Sequence, residues 1–263
     1  MDNRKELVIC GSWWMDSVLA YEYAIREKWY KKEDILCINF NIWQPYFEKE
    51  KKCLNKAVFD YETIRVDLCN SKLWTMPDKE NYIIPWRNMV FASIWASFWK
   101  RVWIMWMKFE DHYLMYDKNS AFFDFATLAT SRSIWFKTII ESPFIKMTKT
   151  DSIIWALNNW VSREILDNTT SCYDSEKHRC WTCSLCFKRF IAWQAAWIYE
   201  DFSENPLLSK EAEKLLSNYS IAVDDKNYTH YHKDRIYETV EVISRVNSPL
   251  RLLASNILNK INL

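Results

Sequence analysis

The sequence predicts an α/β protein in which helices cover both faces of a parallel sheet, with a cysteine-rich segment and a helical tail after it. Short apolar runs alternate with stretches whose apolar residues recur at helical spacing, in the order strand, helix, strand, helix, strand. That order implies parallel strands joined by right-handed crossovers. At 263 residues the chain is long enough to bury a sizeable core.

The elements follow from these patterns. We predict strands at 7–10, 35–40, 63–66 and 101–105, and helices beginning near residue 18 and covering 46–59, 88–98 and 184–199. Residues 203–263 are charged, free of cysteine and helical in pattern, and Asn205-Pro206 precedes them as a candidate boundary. We therefore expect one domain at 1–202, which includes a metal-binding segment at 170–190, and a helical extension at 203–263.

Charge and hydropathy exclude several classes of function. The formal net charge is +1, so no global field favours nucleic acid or an anionic membrane. Charged residues interrupt the most apolar stretch, 83–109, so no run of about 20 apolar residues could span a bilayer. The first apolar run is too short for a signal peptide. We expect a cytoplasmic protein with no membrane partner and no direct contact with nucleic acid.

Glycine and tryptophan are present in unusual numbers. The chain has 1 Gly and 16 Trp, whereas average usage of about 7% would give roughly 18 glycines in a chain of this length. An α/β fold needs glycine at turns and helix ends. The shortage of glycine and the excess of tryptophan are similar in size.

Four cysteines lie in one short segment: Cys172, Cys180, Cys183 and Cys186, the last three spaced C-x-x-C-x-x-C. Four thiolates at this spacing can complete a tetrahedral Zn²⁺ site. An iron–sulfur cluster or a redox pair would use the same residue type, and His178 could replace one ligand. The other cysteines, Cys10, Cys37, Cys53 and Cys69, are scattered over predicted strands and helices, where burial as small apolar groups is ordinary.

The loop after the first predicted strand carries polar groups at the start of a helix. It reads Ser12-Trp13-Trp14-Met15-Asp16-Ser17. Backbone N–H groups at a helix N-terminus bind phosphate when no side chain stands in the way. Hydroxyls and a carboxylate are suitably placed, but the two tryptophans would fill the phosphate space.

With glycine at positions 13 and 14 the loop resembles the PP-loop of the N-type ATP pyrophosphatases, and within them the 7-cyano-7-deazaguanine synthases. Further segments are similar to motifs of that family over about residues 7–200. These are Phe40-Asn41-Ile42-Trp43-Gln44, Pro85-Trp86-Arg87-Asn88, Met105-Trp106-Met107, the acidic Asp111 and Asp117, Thr170-Ser171-Cys172-Tyr173, and Cys180-Trp181-Thr182-Cys183-Ser184-Leu185-Cys186.

The resemblance implies a Rossmann-like, ATP-dependent carbon–nitrogen ligase of queuosine biosynthesis. It would convert 7-carboxy-7-deazaguanine and ammonia to the 7-cyano product, with Mg²⁺ on the pyrophosphate and Zn²⁺ on the four clustered cysteines, and a homodimer is expected by analogy. Catalytic roles would fall to Asp16, Ser17 and Arg87. Asp16 could instead cap its helix. ATP would contact Ser12, Trp13, Trp14, Met15, Asp16, Ser17, Arg87, Asn88 and Lys149.

Two stretches depart from the family pattern. Where the family has G-Q-R-H, this chain has Trp43-Gln44-Pro45-Tyr46, and where it has S-G-Y-P-D-C-R, residues 113–119 keep only Asp117. Both stretches would line the base side of the site. A diverged relative that adenylates another carboxylate, such as one on a peptide or protein recruited by the tail, is therefore an alternative.

Six of the tryptophans stand where the family has glycine, at Trp13, Trp14, Trp43, Trp86, Trp106 and Trp181. Trp29, Trp160 and Trp197 also sit where helices should end, which is consistent with glycine at a C-terminal cap. Our hypothesis is that UGA codons were translated as tryptophan although the source reads them as glycine. If the tryptophans are genuine, the loop is blocked and a non-catalytic zinc module is expected.

Overall fold

The computed structural model describes residues 5–11, 14–41, 47–54, 59–65, 87–109, 119–172, 174, 177 and 179–262. It confirms the predicted α/β class. The sheet has five strands in the order β3-β2-β1-β4-β5, and every neighbouring pair is parallel. The strands are β1 Lys5–Cys10, β2 Ile35–Asn41, β3 Tyr61–Arg65, β4 Trp99–Ile104 and β5 Ile139–Glu141.

Ten α-helices are described, and five of them begin soon after a strand or lead into one. They are α1 Met15–Arg26, α2 Phe47–Leu54, α3 Arg87–Ala96, α4 Ser120–Ile134, α5 Lys149–Asn158, α6 Arg163–Asp167, α7 Ser184–Ala195, α8 Lys210–Asp224, α9 Lys233–Arg245 and α10 Arg251–Ile261. The predicted helix at 184–199 was too long, because α7 ends at Ala195 in a capping turn. None of the helices in the described part of the chain is long and apolar enough to cross a membrane.

Alternate residues of the central strands serve two separate cores. Leu7 and Ile9 of β1 are fully buried with residues of α1 and α5, whereas Val8 is buried with residues of α3 and α4. This is the two-residue period of a strand, and burial of both faces explains why the strands read as continuous apolar runs. The helices on both faces of the sheet agree with the prediction.

The helix α4 is absent from the sequence predictions, which place no element between residues 106 and 138. Asn119 caps it, since its side chain accepts a hydrogen bond from the N–H of Phe122 at 2.8 Å. Phe123 and Ala126 are buried against β4 and β5, while Phe125 and Leu128 remain exposed. Apolar residues on both sides of the helix obscure its amphipathic period, which is the signal that would have predicted it.

Several helices end in left-handed backbone occupied by tryptophan. The predicted positions Trp29, Trp160 and Trp197 all have positive φ, and so does Trp135 at the end of α4. For a residue with a side chain this conformation costs roughly 1–2 kcal/mol, and glycine is the usual occupant. The backbone at these four positions therefore has the geometry expected of glycine.

The tail forms its own apolar core against α7. Residues of α8, α9 and α10 pack with Phe187, Phe190 and Ile191 of α7. A short 3₁₀ turn, Pro206–Leu208, leads into the tail, and Asn205 caps it. The helical character of 203–263 is thus observed, and the domain boundary before it stays a prediction.

A buried ion network connects the cysteine-rich segment to the residues that flank it. Arg189 is fully buried and its guanidinium donates to both carboxylate oxygens of Glu200, at 2.7–3.0 Å. Arg189 also donates to the Thr169 hydroxyl at 2.8 Å, and Arg179 lies 2.9 Å from the same Glu200 carboxylate. Burial lowers the pKa of Arg179 to about 10. One carboxylate therefore holds two buried cations.

Replacing Glu200 with Gln tests this network. The change leaves Arg189 and Arg179 without a buried counter-charge, so the free energy of unfolding should fall by about 3 kcal/mol. Glu204→Gln is the matched control, because Glu204 is half exposed and lies 3.8 Å from Lys177. It should change stability by less than about 0.5 kcal/mol. Urea denaturation followed by circular dichroism measures both, and equal losses would contradict the role of Glu200.

Candidate active site and cysteine cluster

The strand order creates a crevice beside β1. From β1 the chain moves to β2 and β3 on one side, then crosses to β4 and β5 on the other. In open parallel sheets, ligands bind outside the carboxyl ends of the strands at such a reversal of direction. Helices that follow strands here begin at this same edge. The N-termini of α1, α3, α4 and α5 therefore surround the ends of β1 and β4.

The loop after β1 leads directly into α1. The Gly11 N–H donates to the Ile38 carbonyl at 2.8 Å, and a Cβ on Gly11 would lie 3.4 Å from that of Ser17. Trp14 occupies the N-cap of α1 with extended backbone, and no side chain caps the helix. Met15 is fully buried in the core. The first turn of α1 thus follows closely on the carboxyl end of β1.

Asp16 is paired with Lys149. The Lys149 Nζ lies 3.1 Å from the Asp16 carboxylate, and both side chains are mostly buried. Lys149 opens α5 directly after Thr148, which forms a capping box with Asp151. Since Trp14 holds the cap position of α1, the alternative in which Asp16 caps that helix is wrong. Two residues predicted for the ATP site are therefore in contact although far apart in sequence.

Arg87 and Asn88 begin α3, as their assignment to the start of a helix required. Asn88 is 3% exposed. Because α3 lies in the crossover that ends at β4, its first residues belong to the carboxyl edge of the sheet. The structure thus brings this pair to the edge that also carries Asp16 and Lys149.

Other predicted positions lie outside the described residues. They are Ser12, Trp13, residues 42–46, Pro85-Trp86, Asp111, residues 113–118, Tyr173 and His178.

The helix α2 contributes two buried charged residues that the sequence analysis did not assign to the site. Glu50 is 2% exposed and accepts a hydrogen bond from the Trp14 indole N–H at 2.6 Å. Lys49 is 6% exposed, and its ammonium donates to the Cys172 carbonyl at 2.6 Å and to the backbone carbonyl of Asp174. The pattern of α2 suggests only a charged surface helix, so no sequence signal marks these two as buried.

The four clustered cysteines converge as their spacing predicted. Their sulfur atoms all lie within 4.8 Å of one another. In a tetrahedral site with metal–sulfur bonds of about 2.3 Å, sulfurs are about 3.8 Å apart. The Sγ atoms of Cys180 and Cys186 are 4.0 Å apart, and both residues are buried. This donor set fits a single thiophilic ion, whereas an iron–sulfur cluster would spread its thiolates around a larger cage.

Backbone N–H groups stabilise negative sulfur in this cluster. The N–H groups of Asp174 and Cys180 point at the Cys172 sulfur at 3.4 and 3.3 Å, and that of Cys186 points at the Cys183 sulfur at 3.4 Å. Hydrogen bonding with the Cys172 and Cys186 side chains lowers the pKa of Cys183, whereas hydrogen bonding with the Cys172 and Cys183 side chains raises the pKa of Cys186. The ligands thus share negative charge that a cation would neutralise.

By contrast, two cysteines of the sheet stay neutral. Burial raises the pKa of Cys10 and of Cys37 well above the usual range. Cys37 is buried, in agreement with its interpretation as a small buried group, whereas Cys10 is only partly buried.

The loop after β1 lies against the cysteine segment. Trp14 forms an isolated parallel bridge with Thr170, two residues before Cys172. Thr170 is fully buried. Together with Lys49, this bridge fixes the backbone of the cysteine segment beside the start of α1.

The tail forms a further wall next to Lys149. The Thr150 hydroxyl donates to the Glu238 carboxylate of α9 at 2.5 Å, and Arg235 donates to the Phe109 carbonyl at 3.5 Å. Burial raises the pKa of Glu238. A small cavity lies between these residues and Lys149.

Fold and site define an α/β protein with helix N-termini gathered at the carboxyl edge of a parallel sheet and a four-cysteine cluster beside it. The family model described as "Queuosine biosynthesis protein QueC" matches residues 56–197. The chain belongs to this family, and the predicted resemblance is confirmed.

Curated relatives carry a matching name. A protein of Campylobacter jejuni named 7-cyano-7-deazaguanine synthase is 25% identical over 226 residues, which is 74% of this chain and 96% of the relative. A protein of the same name from Archaeoglobus fulgidus is 30% identical over 137 residues, 50% of this chain and 54% of the relative.

Metal analysis tests the cysteine cluster. The purified protein should contain a single thiophilic metal ion per chain, and Cys186→Ser should lose it, because a hydroxyl is a poor replacement for a buried thiolate. Cys53→Ser is the control, since Cys53 is a buried core cysteine away from the cluster. Elemental analysis distinguishes zinc from iron. Equal metal content in Cys186→Ser and wild type would contradict the site.

Proposed function

We propose that this protein converts 7-carboxy-7-deazaguanine to 7-cyano-7-deazaguanine with ATP and ammonia. Membership of the QueC family supports the pathway, and the names of the relatives support the product. The observation that carries the chemistry is the Asp16–Lys149 pair at the start of α1, where a phosphate chain would meet a helix N-terminus.

The reaction needs two activations at the same carbon. A carboxylate oxygen attacks the α-phosphate of ATP and pyrophosphate leaves; ammonia then attacks the acyl carbon, AMP leaves, and an amide remains. In the second activation the amide oxygen attacks ATP, pyrophosphate leaves again, and loss of AMP with the amide protons forms the nitrile. Each step develops negative charge on phosphate, so positioned donors and cations stabilise the transition states.

Each residue of the loop has a proposed role in this scheme. The backbone at 12–15 and the Ser12 and Ser17 hydroxyls would donate to pyrophosphate, and Lys149 would supply a positive charge next to them. Asp16 holds the Lys149 ammonium at the loop and would contact Mg²⁺ on the leaving pyrophosphate. Arg87 and Asn88, at the start of α3, would form the wall for the nucleotide or the substrate.

The four cysteines would hold zinc in a structural role. All four positions are filled by thiolates, which leaves no open coordination position for substrate. Lys49 and the bridge from Trp14 to Thr170 connect this centre to the loop. Zinc would therefore keep the backbone beside the loop in place.

The activity itself is tested by product analysis. The chain with glycine at positions 13, 14, 43, 86, 106 and 181, as the motifs predict, should form the nitrile from the 7-carboxy substrate, ammonium and ATP, detected by mass. Formation of AMP only with another carboxylic acid would replace this function with that of the diverged relative. Absence of both AMP and nitrile would leave the non-catalytic zinc module.

Lys149→Met tests the phosphate site within that active form. Loss of one preorganised cation should lower kcat/KM by about 10²-fold or more. Lys100→Met is the matched control, because Lys100 lies at the opposite edge of the sheet, where it pairs with Glu6 at 2.6 Å. It should keep kcat/KM within about twofold of the parent, since exposed ion pairs contribute little. An equal loss in both variants would remove the assigned role of Lys149.

A further inference from the structure

Tryptophan occupies most of the left-handed backbone positions in the described part of the chain. Seven residues other than glycine have positive φ there, and five of them are tryptophan, although the chain has only 16 tryptophans in 263 residues. Bulky residues are outliers in this region, whereas glycine enters it freely. The five are Trp29, Trp135, Trp160, Trp181 and Trp197, with φ between 58° and 64°.

The hydrogen bonds around these positions are those of a glycine-terminated helix. After α5, the Val161 N–H donates to the Ala156 carbonyl at 2.9 Å, and the Trp160 N–H donates to the Leu157 carbonyl at 3.2 Å. This pair of bonds is the Schellman motif, in which the residue at the position of Trp160 is usually glycine. The same two bonds surround Trp197 after α7.

Burial does not compensate for the strain at the helix ends. The side chains of Trp29, Trp135, Trp160 and Trp197 are 80–91% exposed. Trp197 gains one contact, since the Arg245 guanidinium lies 3.9 Å from its ring centre. Large exposed aromatic groups in left-handed backbone thus gain little in return for their conformation.

Trp181 occupies the equivalent position inside the cysteine cluster. It follows Cys180 with a φ of 60°, in the turn that brings the sulfurs of Cys180 and Cys183 together. The left-handed residue reverses the chain between two metal ligands. Glycine would make that turn without strain.

Trp106 follows the end of β4 and packs in the apolar core with residues of α3 and α4. Its side chain is 3% exposed, and no acceptor among the described residues reaches its indole N–H. The Ser142 hydroxyl accepts from the Trp106 N–H at 3.1 Å and donates to its carbonyl, so the backbone is held in place. A buried indole N–H usually has a partner.

Trp103 shows what a well-fitted tryptophan looks like in the same protein. It lies in the middle of β4, is 1% exposed, and donates its indole N–H to Glu141 at 2.9 Å. Tyr23 and Tyr30 pack near its ring. Trp103 is therefore a position where tryptophan fits its environment, unlike the five positions with left-handed backbone.

The geometry points to glycine, in the native protein, at the five left-handed positions, with UGA codons read as glycine in the source. The inference extends to positions 13, 14 and 106 on the family motifs alone. The first five rest on backbone conformation, whereas positions 13, 14 and 106 rest, through those motifs, on the proposed function. A single decoding rule explains tryptophan at all of these positions. Independent mutations would each have had to replace glycine with the largest side chain.

Mass spectrometry of peptides from the protein purified from its own cells tests the inference directly. We expect glycine at positions 29, 135, 160, 181 and 197, and tryptophan at position 103 in the same sample. Tryptophan at the five positions would overturn the inference. Glycine at those five with tryptophan kept at 14 and 106 would overturn its extension to the crevice.

A recombinant comparison supplies a second test. The double variant Trp160→Gly/Trp197→Gly of the printed chain should raise the urea midpoint of unfolding, because strain at two helix ends is removed. Trp103→Gly is the matched control and should lower the midpoint, since it empties a buried, satisfied site. A lower midpoint for the double variant as well would count against glycine at the helix ends.

ATP binding tests positions 13, 14 and 106 separately. The triple variant Trp13→Gly/Trp14→Gly/Trp106→Gly should bind ATP with a Kd at least about tenfold lower than that of the printed chain, since the phosphate space is cleared. Equal affinity would overturn the crevice assignment. Glycine in the native peptides without nitrile formation would overturn the proposed function and leave the decoding inference intact.

Discussion

The parallel pairing of β1 with β2 on one side and β4 on the other is the constraint on which the rest of this structure depends. Val8 of β1 lies opposite Leu36 and Val102, so both edges of the central strand are occupied. Parallel strands require crossover helices, and each crossover begins at the carboxyl edge of the sheet. Strand pairing therefore places the loop after β1 and the helix N-termini at the same edge of the sheet. This placement follows from the backbone and does not depend on particular side-chain contacts.

The cysteine segment is coupled to that edge by a few buried contacts. Lys49 holds its backbone carbonyls, and Thr170 pairs with the loop residue Trp14. On the other side Glu200 neutralises Arg189 and Arg179. A buried ion costs several kcal/mol to desolvate, so these charges are tolerated only because each finds several partners. A metal on the cysteines would thus stabilise the surface against which the loop rests.

Glycine and tryptophan have opposite effects at the left-handed backbone positions. The absence of a side chain allows left-handed backbone and close approach of an anion, and an indole opposes both. The fold places such backbone at Trp160 and Trp197, directly after α5 and α7. The turn requires left-handed backbone at these positions whichever residue occupies them.

Sequence alone determined the α/β order, the convergence of four cysteines and the excess of tryptophan at turn positions, because each is a local pattern of period, spacing or composition. It also located the family motifs, including Asp16, and named Lys149 as a candidate ATP contact. Only the tertiary structure decided that Asp16 pairs with Lys149, that Lys49 and Glu50 of a charged helix are buried, and that the tail packs on α7. These depend on residues far apart in the chain, whose proximity is created by the sheet and its crossovers and has no local signature.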